Sequence, residues 1–335
     1  MIYIETHSTD PTWNLALEEY CLKELVQFER IMMLWQNDNA IIIGRYQNAE
    51  NEVNLEAARA LGTKIVRRPS GGGAVFHDLG NLNYTFIYPI EGLNRLHISV
   101  YAEPMVKALH KIGVPAEIRG RNDLLLDGKK ISGTAQRIQK GRLMHHGTLL
   151  YDSNLDSLES VLQVDAAKVA SKGVASIRSR VTNIKEYLPE GQFEDVHAFW
   201  RALLAAFDED EPLEPFELTL EMLAEVEKIQ KEKYQSWDWN FGRAPAFEYR
   251  NSRRFPSGKL EVQVNVRDGR LQECKISGDF MGMTDLDSLE AALKDIRYDP
   301  EDVGKVLARF DLPFYLGGIT ADEFLQCMFE GTYTA

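Results

Sequence analysis

Short apolar runs and two stretches of helical spacing organise the first 150 residues. Asp10-Pro11 is typical of a helix start, because aspartate caps the first turn and proline fits the first helical position; this helix is expected to reach about Leu25. Apolar positions three and four residues apart predict another helix over 97–112. Strands are predicted at 31–35, 40–44, 63–67, 74–77, 82–88 and 143–151, and a hairpin turn at Asp127-Gly128. Sheet with scattered helices, without regular βαβ alternation, favours an α+β fold.

The pattern changes twice in the second half of the chain. Residues 194–235 are predicted to be largely helical, and ten acidic against three basic residues over 206–233 indicate a solvated helix face. The aromatic, glycine and proline residues of 239–245 then predict a linker that acts near a hinge. A hairpin and helices near 285–296, 301–310 and 320–330 follow. We therefore predict one domain over 1–248 and a smaller one over 249–335.

Composition excludes several classes of protein. The 335 residues carry 38 Lys+Arg and 51 Asp+Glu, a net charge of −13, which argues against a nucleic-acid or anionic-membrane partner. No apolar run approaches the roughly 18 residues that a membrane span requires, and no signal peptide is expected. The cysteines, Cys21, Cys274 and Cys327, are far apart, which suits a cytoplasmic protein and disfavours a zinc site.

Walker A, dinucleotide-binding, zinc-protease and nucleophile-elbow motifs are absent, but the segment Arg67–Asp78 is unusual. Its three consecutive glycines let the backbone approach a ligand and aim N–H groups at an anion. The two arginines before them can pair with carboxylate or phosphate oxygens. A simple glycine-rich turn between strands is the alternative interpretation.

Positive charge is concentrated in the segment Arg119–Arg142, which carries seven basic and two acidic residues. Strand alternation predicts that Lys130, Ser132 and Thr134 share one face, where they could line an anionic ligand. Asn122-Asp123 could hold a magnesium ion together with substrate phosphates. A solvated basic hairpin is the alternative.

His145-His146-Gly147 forms the third unusual segment. Neighbouring residues of a strand point to opposite faces, so the two histidines are not expected to chelate one metal. One of them is expected to be a buried, hydrogen-bonded core residue. The glycine would permit close approach of a ligand.

Together these three segments resemble the lipoate–protein ligase family. Further blocks that match in order are Asp10–Glu19, Leu34-Trp35, Ile43–Asn48, Ser176–Asn183 and Trp239–Gly242. The resemblance covers about residues 2–250, and 251–335 match the family's accessory domain in length and α+β character. It implies a mixed-sheet catalytic domain of the biotin/lipoate ligase type followed by a smaller α+β domain that reorients during the reaction.

The resemblance also implies the reaction and its partners. ATP and free lipoate would form lipoyl-AMP and pyrophosphate with Mg²⁺ present, and the adenylate would acylate a lysine of a lipoyl domain. Acceptors would be 2-oxoacid dehydrogenase E2 subunits or the glycine-cleavage H protein, and the ligase is expected to be a monomer. Lys130 matches the family's essential lysine and would bridge the lipoate carboxylate and the α-phosphate. Asp123 would reach the metal through the phosphates. The nucleotide stretch implied is Arg68, Gly73, Ala74, Val75, Phe76, Asn122 and Asp123; the lipoyl side is Arg67, Ser70, Gly72, His145 and Gly147.

Three alternatives stay open at this point. Octanoyl- and lipoyl-transferases share this fold without using ATP, and the related amidotransferases use a cysteine, but no cysteine lies between positions 22 and 273. Biotin ligases carry an Arg/Gly-rich adenylate loop that is not seen. A non-catalytic lipoate- or nucleotide-binding homologue would keep the pocket without the reaction.

Overall fold

A mixed sheet forms the centre of the larger unit. The computed structural model describes residues 1–90, 98–120, 122–162, 180–241, 249–267 and 269–330. The strands of this unit are β1 (Ile2–Glu5), β2 (Ile31–Trp35), β3 (Ala40–Ile43), β4 (Lys64–Arg67), β5 (Val75–His77), β6 (Asn81–Pro89), β7 (Glu117–Arg119), β8 (Asp123–Leu126), β9 (Lys129–Gln139), β10 (Arg142–Leu150) and β11 (Glu214–Pro215). Within the described ranges, eight of them pair in the order β11-β1-β2-β6-β10-β9-β8-β7.

A smaller sheet brings the glycine-rich segment to its place. β3 lies between β4, to which it is parallel, and β5, to which it is antiparallel. Ile43 pairs with Arg67, and Ala40 pairs with His77. The chain from Arg68 to Ala74 therefore crosses one end of this small sheet, and its two flanks are held in register by the same central strand.

Helices cover both sheets. They are α1 (Pro11–Glu24), α2 (Ala49–Glu52), α3 (Leu55–Ala60), α4 (Ile98–Lys111), α5 (Leu155–Val161), α6 (Val196–Asp208), α7 (Leu220–Ile229) and α8 (Trp237–Asn240), with a 3₁₀ turn at Ile184–Tyr187 and a π turn at Gln230–Tyr234. Asp10 caps α1 by accepting from the Thr12 amide at 2.9 Å. α1 is buried on nearly all sides because it lies in one core with Ile4, Trp35 and Val66.

The accessory unit has its own core. Its strands β12 (Tyr249–Phe255), β13 (Gly258–Arg267) and β14 (Arg270–Gly278) form an antiparallel sheet, covered by α9 (Asp287–Ala292), α10 (Pro300–Leu307), α11 (Leu312–Leu316) and α12 (Ala321–Glu330). Among the buried members of that core, Tyr46 comes from the larger unit, and its ring stacks on Phe280 at 4.8 Å. The two units are thus packed together through a shared aromatic contact.

The structure confirms the α+β class and the main predicted helices and strands. Some elements were not predicted. They are the short helices within 49–60 and at 312–316, and the first strand of each unit. The boundary at 248/249 stays a prediction because 242–248 lie outside the described residues. Across the described ranges, no helix combines the length and apolarity needed to cross a bilayer.

Candidate functional site

A cavity of about 670 Å³ opens between the larger unit and the accessory unit. One part of its wall is apolar and belongs to the core around α1, with Leu15, Trp35, Ile42 and Val75. Another part carries charge, with the ion pairs Lys130–Asp123 at 2.6 Å and Arg254–Asp279 at 3.1 Å. The cavity therefore suits a ligand with an apolar body and a strongly anionic end.

Lys130 reaches this cavity because β9 is irregular. Ser132 pairs with Leu124 and Lys130 pairs with Leu125, so Ile131 is an extra residue and forms a β-bulge. The Lys130 side chain is 34% exposed, and its ammonium group lies close to Gly133, where an added Cβ would be 3.0 Å from Nζ. The prediction that Lys130 shares one face with Ser132 and Thr134 was wrong, because the bulge at Ile131 lies between Lys130 and those two residues. Ser132 is buried and is not among the cavity-lining residues.

The glycine-rich segment Arg67–Asp78 borders the cavity through part of its length. Gly72, Gly73, Ala74 and Val75 line the wall, whereas Phe76 and Ser70 are buried behind it. The Arg68 guanidinium also lines the cavity and donates to the carbonyls of Ile42, Gly71 and Gly73 at 2.7–3.0 Å. Burial lowers its pKa to about 10, so it stays charged at neutral pH. Arg68 therefore shapes the loop as well as contributing charge to the wall.

Arg67 has a different place from the one predicted. It is fully buried and is not among the residues that line the cavity. Its guanidinium donates to five carbonyls, those of Gly44, Arg45, Gln47, Trp239 and Asn240. Asn240 in turn accepts from the Arg67 amide at 2.8 Å, and the Trp239 indole donates to the Arg67 carbonyl at 2.8 Å. This arginine joins the segment before the linker to the larger unit, so 239–240 are fixed there.

A buried polar network lies beneath the cavity. His146 lines the wall and bonds through Nδ1 to the Glu18 carboxylate at 2.8 Å and through Nε2 to the Ser70 hydroxyl at 2.6 Å. Glu18 also accepts from Thr85 at 2.6 Å, and Thr85 accepts from the Trp35 indole at 2.9 Å. The network links Trp35 to the glycine-rich loop, since Arg68 Nε donates to Ser70 at 3.1 Å. Sequence reasoning missed Glu18; its only signal is that it stands with Glu19 in an otherwise largely apolar stretch of α1.

His145 points away from this network. Its Nδ1 lies 3.1 Å from the Gln136 amide, and its ring packs against Tyr84 and Tyr101. Burial, helped by His146, lowers its pKa to about 3. It is the expected core histidine, although the resemblance had placed it on the lipoyl side, and it is not among the lining residues.

Gly147 lines the cavity, and packing also requires it to be glycine. A Cβ at this position would lie 2.6 Å from the Tyr84 hydroxyl oxygen and 2.7–2.9 Å from its ring. Tyr84 is fully buried on β6, directly opposite Gly147 on β10. The close approach predicted for a ligand is thus made by a tyrosine of the protein itself.

Thiol chemistry does not fit this cavity. Cys21, Cys274 and Cys327 are all buried, and none belongs to its lining. Burial raises the pKa of all three thiols, that of Cys327 to about 12, which disfavours the reactive thiolate. A covalent cysteine mechanism at this site therefore has no structural support.

The donor set suits a phosphate-bound magnesium ion better than a metal held by the protein alone. Within the ranges that the structure describes, no cluster of three His, Cys, Asp or Glu residues could hold a metal ion. Two carboxylates, Asp123 and Asp279, line the cavity. One or two carboxylates completed by substrate phosphates and water is the coordination that Mg²⁺ prefers.

The accessory unit closes one side of the cavity with Arg254, Phe255, Pro256, Gly258 and Asp279. It is held there by Asp285, whose carboxylate pairs with Arg45 at 2.7 Å and with Arg137 at 3.1 Å. Tyr46 donates to the Thr284 carbonyl, and the Gly72 amide donates to the Phe280 carbonyl at 3.1 Å. The glycine-rich loop and the accessory unit are therefore directly connected.

Replacing Asp285 by alanine should loosen this contact, because Arg45 and Arg137 would both lose the carboxylate that they share. We expect the Gly72 amide to exchange with deuterium about tenfold faster or more, as measured by site-resolved hydrogen exchange. Asp287→Ala removes the same charge from an exposed neighbouring position and is the control. Equal protection of Gly72 in parent and Asp285→Ala would show that this ion-pair cluster does not hold the units together.

Comparisons with known proteins agree along the whole chain. Residues 10–208 match the family described as Lipoyl protein ligase A/B catalytic domain, and 244–328 match Bacterial lipoate protein ligase C-terminus. The lipoate-protein ligase LplJ of Bacillus subtilis is 40% identical, covering 98% of this chain and all of that protein.

Solved structures give the same picture. LipL1 of P. falciparum in complex with lipoate has a TM-score of 0.74 and 26% identity, covering 92% of this chain and 94% of that one. Lipoate-protein ligase A bound with ATP has a TM-score of 0.59 at 26% identity, covering 72% and 97%. The bipartite lipoate protein ligase of Thermoplasma acidophilum, described with its E2 lipoyl domain, has a TM-score of 0.62 at 28% identity, covering 74% and 98%.

Proposed function

The chain belongs to the lipoate–protein ligase family, and we propose how its residues activate lipoate with ATP and pass the lipoyl group to a protein lysine. The enzyme is an ATP-dependent lipoate–protein ligase. The observation that supports the residue roles is a single cavity in which Lys130 lies on a charged wall while Leu15, Trp35 and Ile42 form an apolar one. Lipoate has the same two parts, a carboxylate and an apolar body.

In the first step, a lipoate carboxylate oxygen attacks the α-phosphorus of ATP, and the bond to the β-phosphate oxygen breaks. Lipoyl-AMP forms and pyrophosphate leaves. Two anions must come together, so positive charge fixed in the cavity lowers the barrier. Lys130 is our candidate for the bridge between the carboxylate and the α-phosphate, because its ammonium is on the wall and its present partner, Asp123, is half-exposed. Besides Lys130 and Arg68 of the larger unit, Arg254 brings a cation from the accessory unit.

The nucleotide and the acyl chain would occupy different parts of the wall. The backbone of Gly73 to Val75 lies in the cavity and is our candidate for the adenylate contact. Arg68 holds that loop in shape, and Phe76 supports it from the core. The apolar wall would take the lipoyl chain. Asn122, whose amide donates to the Thr134 carbonyl at 2.9 Å, and Asp123 border the charged part.

Magnesium would enter with the triphosphate. Asp123 is the carboxylate that we propose for it, because this residue lines the charged wall beside Lys130. When bound, the ion would neutralise phosphate charge. The residues of the chain would still have to orient the carboxylate and the α-phosphate.

In the second step, the amine of an acceptor lysine attacks the lipoyl carbonyl, AMP leaves, and the lysine nitrogen loses a proton. A lipoyl domain is our proposed acceptor, supported by the T. acidophilum relative that is described with its E2 lipoyl domain. The glycine-cleavage H protein is the second acceptor that we propose. We also propose that the enzyme is a cytoplasmic monomer and that its domains meet at 248/249. The accessory unit would have to move aside, since it borders the cavity.

Intact-mass measurement of candidate acceptors tests the function. Lipoyl domains and H protein are incubated with the enzyme, Mg²⁺ and lipoate, with ATP or without it. We expect an added lipoyl group on one lysine only when ATP is present. Modification without ATP would favour a transferase, and binding of lipoate without modification of any acceptor would indicate a non-catalytic homologue.

A further inference from the structure

Two buried N–H groups in the cavity wall have no hydrogen-bond partner among the described residues. They are His77 Nε2 and Asn83 Nδ2, on side chains of residues that are 3% and 1% exposed. Both residues line the cavity beside Trp35. The His77 ring lies 6.3 Å from that indole at a steep angle, and Asn83 pairs directly with Trp35 across β2 and β6. The two donors therefore flank one aromatic side chain in the apolar part of the wall.

A chain of hydrogen bonds fixes which His77 nitrogen carries the proton. Asn14 donates to the carbonyls of Ser8 and Gln36, so its amide nitrogen is the atom that faces Asn37 Oδ1 at 3.0 Å. Asn37 Nδ2 then donates to His77 Nδ1 at 3.0 Å. Because Nδ1 accepts, the proton of the neutral ring is on Nε2, the atom without a partner.

The His77 ring stays neutral. Burial, with the nearby charges of Arg68 and His146, lowers its pKa to about 3. Nε2 is therefore a neutral donor throughout the range in which the enzyme would work. A neutral donor in an apolar wall does not suit a carboxylate or a phosphate as well as the Lys130 region does.

Asn83 is held by one hydrogen bond from its neighbour Asn81, whose own side-chain carbonyl oxygen is buried without a partner among the described residues. The Asn83 side-chain oxygen accepts from the Asn81 amide at 2.9 Å, which leaves Nδ2 as the free end of the side chain. Asn81 and Asn83 are two apart on β6 and lie on the same face of the sheet. The free amide thus belongs to the same part of the wall as His77.

We propose that His77 and Asn83 recognise the dithiolane sulfurs of lipoate and so favour lipoate over straight-chain octanoate. The inference rests on the proposed function, because it takes lipoate as the occupant of this cavity. An octanoyl chain would leave both donors without an acceptor, which costs free energy. Disulfide sulfur is a weak acceptor but is also polarizable, so it can satisfy the two N–H groups in part.

The test is the ratio of kcat/KM for lipoate to kcat/KM for octanoate, measured by ATP–pyrophosphate exchange. We expect Asn83→Leu and His77→Leu each to lower this ratio about fivefold or more, mainly through lipoate. His77→Gln keeps a donor and should retain part of the preference. His110→Gln, on α4 and bonded to the Ala116 carbonyl, is the matched control for loss of an imidazole.

A second readout does not depend on the variants folding well. In the ¹⁵N-labelled enzyme, the Nε2–H resonance of His77 should shift on addition of lipoate and shift less with octanoate. An unchanged substrate ratio in both leucine variants, or equal shifts with the two acids, would overturn the inference. If the parent enzyme activates neither acid, the proposed function fails instead.

Discussion

Lys130→Ala should lower the rate of lipoyl-adenylate formation by about a hundredfold to a thousandfold. Lys130 belongs to the larger unit, and its side chain is partly exposed at the cavity wall. The Arg68 guanidinium, in contrast, already donates to the carbonyls of Ile42, Gly71 and Gly73. Its loss would leave the lipoate carboxylate and the α-phosphate without the proposed bridging charge. Folding should be little affected, because the Lys130–Asp123 pair is half-exposed.

Pyrophosphate release with lipoate and ATP is the measurement. Lys129→Ala is the control, since Lys129 is the exposed neighbour on the same strand and carries the same charge. Lys130→Arg should recover little, because a guanidinium fork has a different shape and donor geometry from an ammonium group. Normal adenylate formation by Lys130→Ala would remove the central residue role proposed above.

Local patterns were enough to predict much of the fold. Asp10 caps α1 through a hydrogen bond to a residue two positions away, so the signal lies within one turn. The hairpin at Asp127-Gly128 depends on positive φ at both positions, 51° and 75°, which this dipeptide accepts readily. Apolar runs such as 31–35 became fully buried strands. In each case the physical cause lies within a few residues of the element.

The site was less predictable because its contacts join distant parts of the chain. Lys130 was predicted from the basic segment and from the resemblance, whereas Glu18 and His146 are 128 positions apart and meet only in the folded protein. Arg254 reaches the cavity through the packing of the accessory unit. The bulge at Ile131 left no local signal, yet it sets the side of β9 on which Lys130 faces the cavity. The two adjacent arginines also differ in position, because Arg68 borders the cavity and Arg67 does not.

Arg67→Ala should lower the free energy of unfolding by about 3–5 kcal/mol, among the larger effects expected from one substitution. The change removes one donor from each of five carbonyl groups in a buried place, although the Gly44 carbonyl still accepts from the Gln47 amide. It also opens a cavity between the turn at 44–47 and α8. The effect is measured as the shift of the urea midpoint at constant m-value.

Arg59→Ala is the control, because Arg59 is exposed on α3 and its loss should cost about 0.5 kcal/mol or less. Arg67→Lys should recover only part of the stability. A single ammonium group cannot reach both sets of carbonyls, those of 44–47 and those of 239–240, that the planar guanidinium joins. Stability and the KM for lipoate, measured on the same Arg67→Ala variant, separate a structural role from a role in binding lipoate. A variant as stable as the parent but with a raised KM for lipoate would return Arg67 to the lipoyl side. Loss of stability with an unchanged KM in the folded fraction would assign it to the joint between the larger unit and the segment 239–240.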